Sequence, residues 1–284
     1  MEPGRASRTA LRVAQRRAAH QVLDHPHVLD DPIAVSLLGP QFAVDYDRES
    51  NRIASAFRAF MTARSRYAED RLAELVAQDP GAHGVAQYVI LGAGLDTFAY
   101  RNPFPQVRVF EVDFPATQQW KRSLLAEAGI AEPTNLTFVP LDFEHKTLGS
   151  GLAEAGFDSG NAAFFAWLGV VPYLTLDAFR ATLETIARLP AGTAVSFDFG
   201  LSPESLGQLH RAAFDSLAKR VADAGEPFQL FFTPEELDAE FARAGFRRFE
   251  QLDSAQLNER YFAGRADGLK LPTPGLGKMA TAWV

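Results

Sequence analysis

The sequence predicts an α/β fold: a mostly parallel sheet flanked by helices on both faces, preceded by an N-terminal helical cap and carrying an inserted helical cover. Three observations lead there. From residue 85 onward, short apolar runs of strand length alternate with helical stretches, which is the pattern of crossover connections between parallel strands. Before residue 81, apolar positions recur at helical spacing and no strand intervenes. The chain has 284 residues, 47% hydrophobic and 22% charged, enough to bury a large core without metal or disulfide.

Residues 7–23 read as a helix whose apolar stripe is Leu11, Ala14, Ala18 and Val22, ended by Asp30, Asp31 and Pro32. A second helix runs from Ile53 to Val76, with Ile53, Phe57, Phe60, Tyr67, Leu72 and Leu75 as core positions, until Asp79-Pro80-Gly81 stops it. These helices are expected to form a cap over residues 1–80. Strands follow at Gln87–Leu91, Val107–Val112, Leu136–Val139, Ala162–Trp167 and Thr193–Phe199, with a later one at Phe246–Gln251. Helices lie between them at 115–128, 176–189 and 234–243; Thr233 caps the last, with Pro234 in its first turn. The core is thus expected over 81–284. Residues 201–228 form the insertion, with a helix over Glu204–Ala224 lying above the ligand crevice.

Charge and composition narrow the function. Lys plus Arg number 28 against 35 Asp plus Glu, a net charge of −7 that excludes a broad non-specific nucleic-acid surface. The basic run Arg5, Arg8, Arg12, Arg16, Arg17 reads as a solvated helical face. The absence of cysteine removes disulfides, thiolate nucleophiles and sulfur-ligated zinc. The longest apolar run, Ala162 to Leu174, has about 13 residues and contains Pro172, short of the roughly 20 needed to span a bilayer. No hydrophobic stretch with a cleavage pattern follows the basic N-terminal segment, so a cytoplasmic location is expected, without membrane or nucleic-acid partners. His25-Pro-His27 beside Asp30 and Asp31 lacks a recognised ligand spacing and gives no metal site, and no GxxxxGK pattern is present.

The sharpest local feature is Val89-Ile-Leu-Gly-Ala-Gly-Leu-Asp-Thr97, a strand running into Gly92 and Gly94, where backbone without Cβ can turn tightly and approach a ligand. Asp113, at the end of the next strand, is placed to accept from two ribose hydroxyls. Glu111 lies two residues earlier on the same strand face and is the other candidate; Asp113, nearer the strand end, is preferred. The same geometry suits a nicotinamide dinucleotide or a nucleoside-bearing sulfonium cofactor. Asp142 follows the third strand, where it can accept from an adenine amino group while Phe143 packs beside the ring; a helix cap is the ordinary alternative. Arg64 and Arg66 on the preceding helix offer a bidentate clamp for a carboxylate.

Together, Thr62-Ala-Arg-Ser-Arg-Tyr67, Leu91-Gly-Ala-Gly-Leu-Asp-Thr-Phe-Ala-Tyr-Arg101, Glu111-Val-Asp-Phe-Pro115, Pro140-Leu-Asp-Phe-Glu144 and Phe164-Phe-Ala-Trp-Leu-Gly-Val-Val-Pro-Tyr-Leu174 resemble the leucine carboxyl methyltransferase-like, or polyketide O-methyltransferase-like, enzymes. The resemblance covers roughly residues 8–251. It implies a Rossmann-like class I methyltransferase fold with a seven-stranded sheet and S-adenosyl-L-methionine as cofactor. It further implies that Gly92 and Gly94 line the methionyl part, Arg64 pairs with its carboxylate, Asp113 holds the ribose and Asp142 the adenine amino group. Asp96 then orders the turn or binds the methionyl amine. The pattern departs at Leu168, where relatives of the protein-carboxyl branch carry a glutamate, which speaks against a protein C-terminus as acceptor.

Methyl transfer from a sulfonium needs an in-line nucleophile and exclusion of water more than a covalent residue. The expected reaction is O-methylation of a carboxylate or hydroxyl on a small molecule, with Tyr173 as the group nearest the reaction centre. Phe214, Phe228, Phe231 and Phe232 in the cover suit an apolar acceptor. The other readings are a nicotinamide oxidoreductase and a non-catalytic cofactor-binding scaffold. A small acceptor and further copies of the same chain are the expected partners.

Overall fold

The computed structural model describes residues 7–78, 84–142, 145–223, 225 and 227–284. Helix α1 (Arg8–Leu23) is started by Ser7, whose hydroxyl accepts from the Ala10 amide at 3.1 Å. Short helices α2 (Ile33–Leu38) and α3 (Tyr46–Glu49) lead to α4 (Arg52–Gln78). The Asn51 side-chain oxygen caps α4 by accepting from the Ile53 and Ala54 amides. Seven strands follow: β1 (Gln87–Leu91), β2 (Arg108–Asp113), β3 (Leu136–Pro140), β4 (Phe164–Trp167), β5 (Ala194–Gly200), β6 (Arg248–Leu252) and β7 (Gly277–Trp283). They form one sheet in the order β3-β2-β1-β4-β5-β7-β6, and of these only β7 runs against its neighbours. The intervening helices are α5 (Pro115–Glu127), α6 (Leu148–Glu154), α7 (Leu176–Ala187), α8 (Gln208–Ala222), α9 (Pro234–Ala244) and α10 (Ser254–Tyr261). Thr233 and Glu236 close a reciprocal capping box at the start of α9, as the Thr233-Pro234 pair foretells.

Side-chain alternation along the central strands divides the core into two layers. On one face Val89, Leu91, Phe110, Phe165, Trp167 and Phe197 pack against Phe179 and Leu183 of α7 and Leu237 and Phe241 of α9. On the other, Tyr88, Ile90, Phe164 and Ala166 meet Ala68 and Leu72 of α4. The cap joins that second face: Ala14 and Ala18 of α1 and Leu37 and Leu38 of α2 pack with Leu124 and Leu125 of α5.

The predicted fold class holds, with corrections in detail. Val22 is 47% exposed and Ile53 64% exposed rather than core; they lie in the last turn of α1 and the first turn of α4, where none of the described residues covers that side of the helix. Arg17 is not part of a solvated face; it is buried. The cover helix starts at Gln208, after a single turn at Pro203–Ser205. Helices α2, α3, α6 and α10 and strand β7 had no separate sequence signal. In β7, Ala280 and Ala282 are fully buried between two neighbouring strands, and alanines give too weak an apolar run to announce a strand.

The His20 ring on α1 is buried. Its Nδ1 lies 2.8 Å from Asp24 Oδ2 and its Nε2 2.9 Å from the Val28 amide, so the neutral ring donates from Nδ1 and accepts at Nε2. Burial lowers its pKa below the ordinary 6.5, against the pull of Asp24. Below about pH 6.5 the unfolded chain therefore binds a proton that the fold excludes, and stability falls with falling pH. Burial pushes the Glu111 and Glu69 carboxyls the other way, up, and they act in the opposite sense. The comparison of wild type with His20→Gln separates the two effects. The stability advantage of wild type is expected to shrink between pH 7 and pH 5 in urea melts. An advantage that stays constant across that range would contradict the neutral, buried ring.

Candidate active site

The strand order reverses between β1 and β4, and ligands of open α/β sheets bind outside the carboxyl ends of the strands at such a point. Here β1 turns through Gly92 and Gly94, both at positive φ (65° and 51°). The amides of Gly92 and Ala93 donate to the Val112 carbonyl at 2.8 and 3.1 Å, which ties the turn to β2 and brings Asp113 to it. Asp113 Oδ2 accepts from the Gly94 amide at 2.5 Å and Oδ1 from the Phe114 amide at 2.7 Å. Burial pushes the Asp113 pKa up and those two amides pull it back. A carboxylate has about four acceptor positions, so after these two bonds it can still accept from a pair of hydroxyls.

Glu111, on the same side of β2, is fully buried, and its Oε2 lies 2.5 Å from Lys121 Nζ of α5. Burial raises its pKa, with Lys121 opposing. Its Oε1 has no hydrogen-bond partner among the described residues. The two carboxylates thus differ in kind: Glu111 is tied to α5, whereas Asp113 stands at the strand end.

Arg64 enters from α4. Its Nη1 donates to Asp198 Oδ2 on β5 at 3.0 Å, and Asp198 Oδ1 accepts from the Gly169 amide at 2.6 Å. A Cβ at residue 169 would lie 2.8–3.1 Å from the Arg64 guanidinium, so the cation can rest on this backbone only because residue 169 is glycine. Arg66 points outward instead and pairs with Asp70 at 2.7 Å. Asp142 is half-buried just past β3, and its carbonyl accepts from the His145 and Lys146 amides. The N-cap of α6 is Thr147 rather than Asp142. Phe143 lies outside the described residues.

Tyr173 ends a short turn after β4, with its ring 5.3 Å from that of Phe228 in the cover. The amides of Gln229 and Leu230 donate to the Pro172 carbonyl at 2.7 and 3.2 Å, which holds the cover against this turn. Phe214, Phe228 and Phe231 form an aromatic wall, with Phe214 and Phe231 edge-on at 5.1 Å. Phe232 turns into the main core instead, as do Phe164, Phe165 and Trp167.

Helix α1 packs over the glycine turn. Ala10 Cβ lies 3.1 Å from where a Cβ at Gly94 would stand, and a Cβ at Gly92 would overlap Val170. Arg17 of α1 donates to Asp31 at 2.5 Å, Thr97 at 2.7 Å and Asp96 at 2.8 Å. Asp96 also accepts from the Phe98 amide at 2.7 Å, and so orders the turn. Burial pushes the Asp96 pKa up, but Arg17 and Arg101 outweigh it and leave it lowered. Arg101 extends the network to Glu69 of α4 through two hydrogen bonds, at 2.8 and 2.5 Å.

Asp198, Lys121 and Arg17 escaped the sequence reading. Asp198 had a signal: it is the one charge within the run Ala194–Gly200, and a charge on a strand buried on both faces needs a partner. The arginine run concealed Arg17, since a surface stripe and a single inward member look alike in one dimension. Among the described residues, no group of His, Cys, Asp and Glu is placed to hold a metal, and no helix is long and apolar enough to cross a membrane.

A family model described as leucine carboxyl methyltransferase matches residues 10–187. The chain is 31% identical over 291 residues to the "Putative S-adenosyl-L-methionine-dependent methyltransferase YktD" of Bacillus subtilis, covering 95% of each protein. A protein of the same description from Mycolicibacterium vanbaalenii is 34% identical over 238 residues, 77% of this chain and 73% of that one. The crystal structure of a DUF574 family protein from Streptomyces avermitilis superposes with a TM-score of 0.56 at 16% identity, covering 94% of this chain and 96% of that one, a likeness of fold.

Proposed function

The chain belongs to the leucine carboxyl methyltransferase family of S-adenosyl-L-methionine-dependent methyltransferases, and from that premise we propose that it methylates an oxygen of a small molecule, a carboxylate before a hydroxyl. One observation carries the placement of the cofactor: the Asp113 carboxylate, fixed by two backbone amides at the end of β2, retains acceptor capacity for the two ribose hydroxyls. Arg64 then takes the cofactor's carboxylate, Asp142 the adenine amino group, and the Gly92–Gly94 turn the methionyl chain. Glu111, paired with Lys121, supports the strand end from behind. Because Ala10 and Val170 rest on the two glycines, α1 and the turn after β4 shift as ligand enters.

The bound sulfonium supplies a methyl group already activated for attack. The protein's part is to orient the acceptor and exclude water. A carboxylate acceptor is ionised near neutral pH and needs no base. Tyr173 borders the acceptor and the Phe214, Phe228 and Phe231 wall receives its apolar body. The two relatives named above are described as methyltransferases, not as oxidoreductases.

The test is turnover of S-adenosylmethionine with a panel of small apolar carboxylic acids and phenols. Carboxyl methylation gives esters that release methanol in mild base, whereas methyl ethers survive. Base-labile product from the acids is expected. Base-stable ethers alone would move the acceptor to a hydroxyl, and methyl transfer only to nitrogen or sulfur would overturn the proposal.

A further inference from the structure

We infer that Asp198 is a binding residue of this site: it receives the ammonium of the cofactor's amino-acid end, while Arg64 beside it receives the carboxylate. This rests on the methyltransferase reading above. Asp198 and Arg64 are paired at 3.0 Å, each with a side chain under a tenth exposed. The pair is contiguous with the crevice. Asp198 accepts from the Gly169 amide, and the next residue, Val170, rests on Gly92 at the switch point of the sheet.

The amino-acid end of the cofactor is a zwitterion with its two charges one carbon apart. A fixed anion and cation side by side are its complement, since each charge meets its opposite and no net charge enters a low-dielectric site. Arginine alone would hold the carboxylate but would leave the ammonium desolvated without a counter-charge. The bonds described engage one of the guanidinium's five donors and two of about four acceptor positions on the carboxylate, so both groups retain capacity. Glycine at 169, with φ at 72°, allows the backbone to approach the guanidinium closely enough for one carboxylate to hold both.

Three probes separate the roles by calorimetric titration: S-adenosylhomocysteine, its analogue lacking the α-amino group, and 5′-methylthioadenosine, which lacks the whole amino-acid end. Wild type is expected to prefer S-adenosylhomocysteine over the des-amino analogue by about 10- to 100-fold. Asp198→Asn keeps an acceptor for Gly169 and removes the charge. It is expected to erase that preference while leaving the des-amino analogue and 5′-methylthioadenosine within about threefold of wild type. Arg64→Met should weaken S-adenosylhomocysteine and the des-amino analogue together. Equal losses for those two ligands in Asp198→Asn would mean that Asp198 acts only through Arg64, and would overturn the inference. So would a wild-type preference near one, a result that needs no variant to fold. Failure of wild type to bind any of the three probes would strike the cofactor reading itself.

Discussion

Asp113→Ala is expected to lower the affinity for S-adenosylhomocysteine by about 100-fold or more, because the ribose loses two charge-assisted hydrogen bonds at once. The same change releases the Gly94 and Phe114 amides, which the carboxylate now satisfies. Both amides belong to half-buried residues, so stability should fall by no more than about 1–3 kcal/mol for each. Asp113→Asn divides the two effects. Its amide oxygen still accepts from one backbone N–H while its NH2 faces the other, so part of the stability loss remains, and only one acceptor position is left to serve two hydroxyls. Urea melts and titrations on the same samples check both parts. A folded Asp113→Ala that binds S-adenosylhomocysteine as tightly as wild type would remove Asp113 from the site.

Arg17→Met is expected to cost about 3–5 kcal/mol of stability, the penalty for breaking a buried ion pair by removing one partner. Asp31 is fully buried, Asp96 is mostly buried, and Arg17 is a counter-ion to both. Burial disfavours the charge on Arg17, but Asp31 and Asp96 hold its pKa well above the ordinary arginine value. Arg101, 3.4 Å from Asp31, gives partial compensation. Adding Asp31→Asn to Arg17→Met should recover part of the loss, since the double variant no longer strands a buried charge there. A cost below about 1 kcal/mol for the single variant, measured by urea denaturation, would show that the network is not what binds α1 to the glycine turn.

The strand and helix alternation was legible because the central strands are buried on both faces and read as apolar runs. The two long N-terminal helices, α1 and α4, were legible from their stripes. Strand β7 was not, since Ala280 and Ala282 fit between β5 and β6 by being small, and smallness leaves no hydrophobic signature. At the site, Gly92, Gly94 and Asp113 are local in sequence or joined by one strand, so spacing alone brings them together. Arg64 and Asp198 are 134 residues apart, and only the packing of α4 across β5 makes them a pair. The cap's grip on the glycine turn was hidden for the same reason: Arg17 and Asp96 meet through a chain separation of 79 residues. What a single sequence conveys is the part of a site built by neighbours along the chain, and charge pairs between distant elements emerge only with the fold.

The most direct measurement is the crystal structure of the protein with S-adenosylhomocysteine. The expected result places the ribose hydroxyls on Asp113, the amino-acid end between Arg64 and Asp198, and α1 displaced from Gly94. A ligand seated away from the β1 and β4 ends, or a ribose held by Glu111 with Lys121 turned aside, would contradict it.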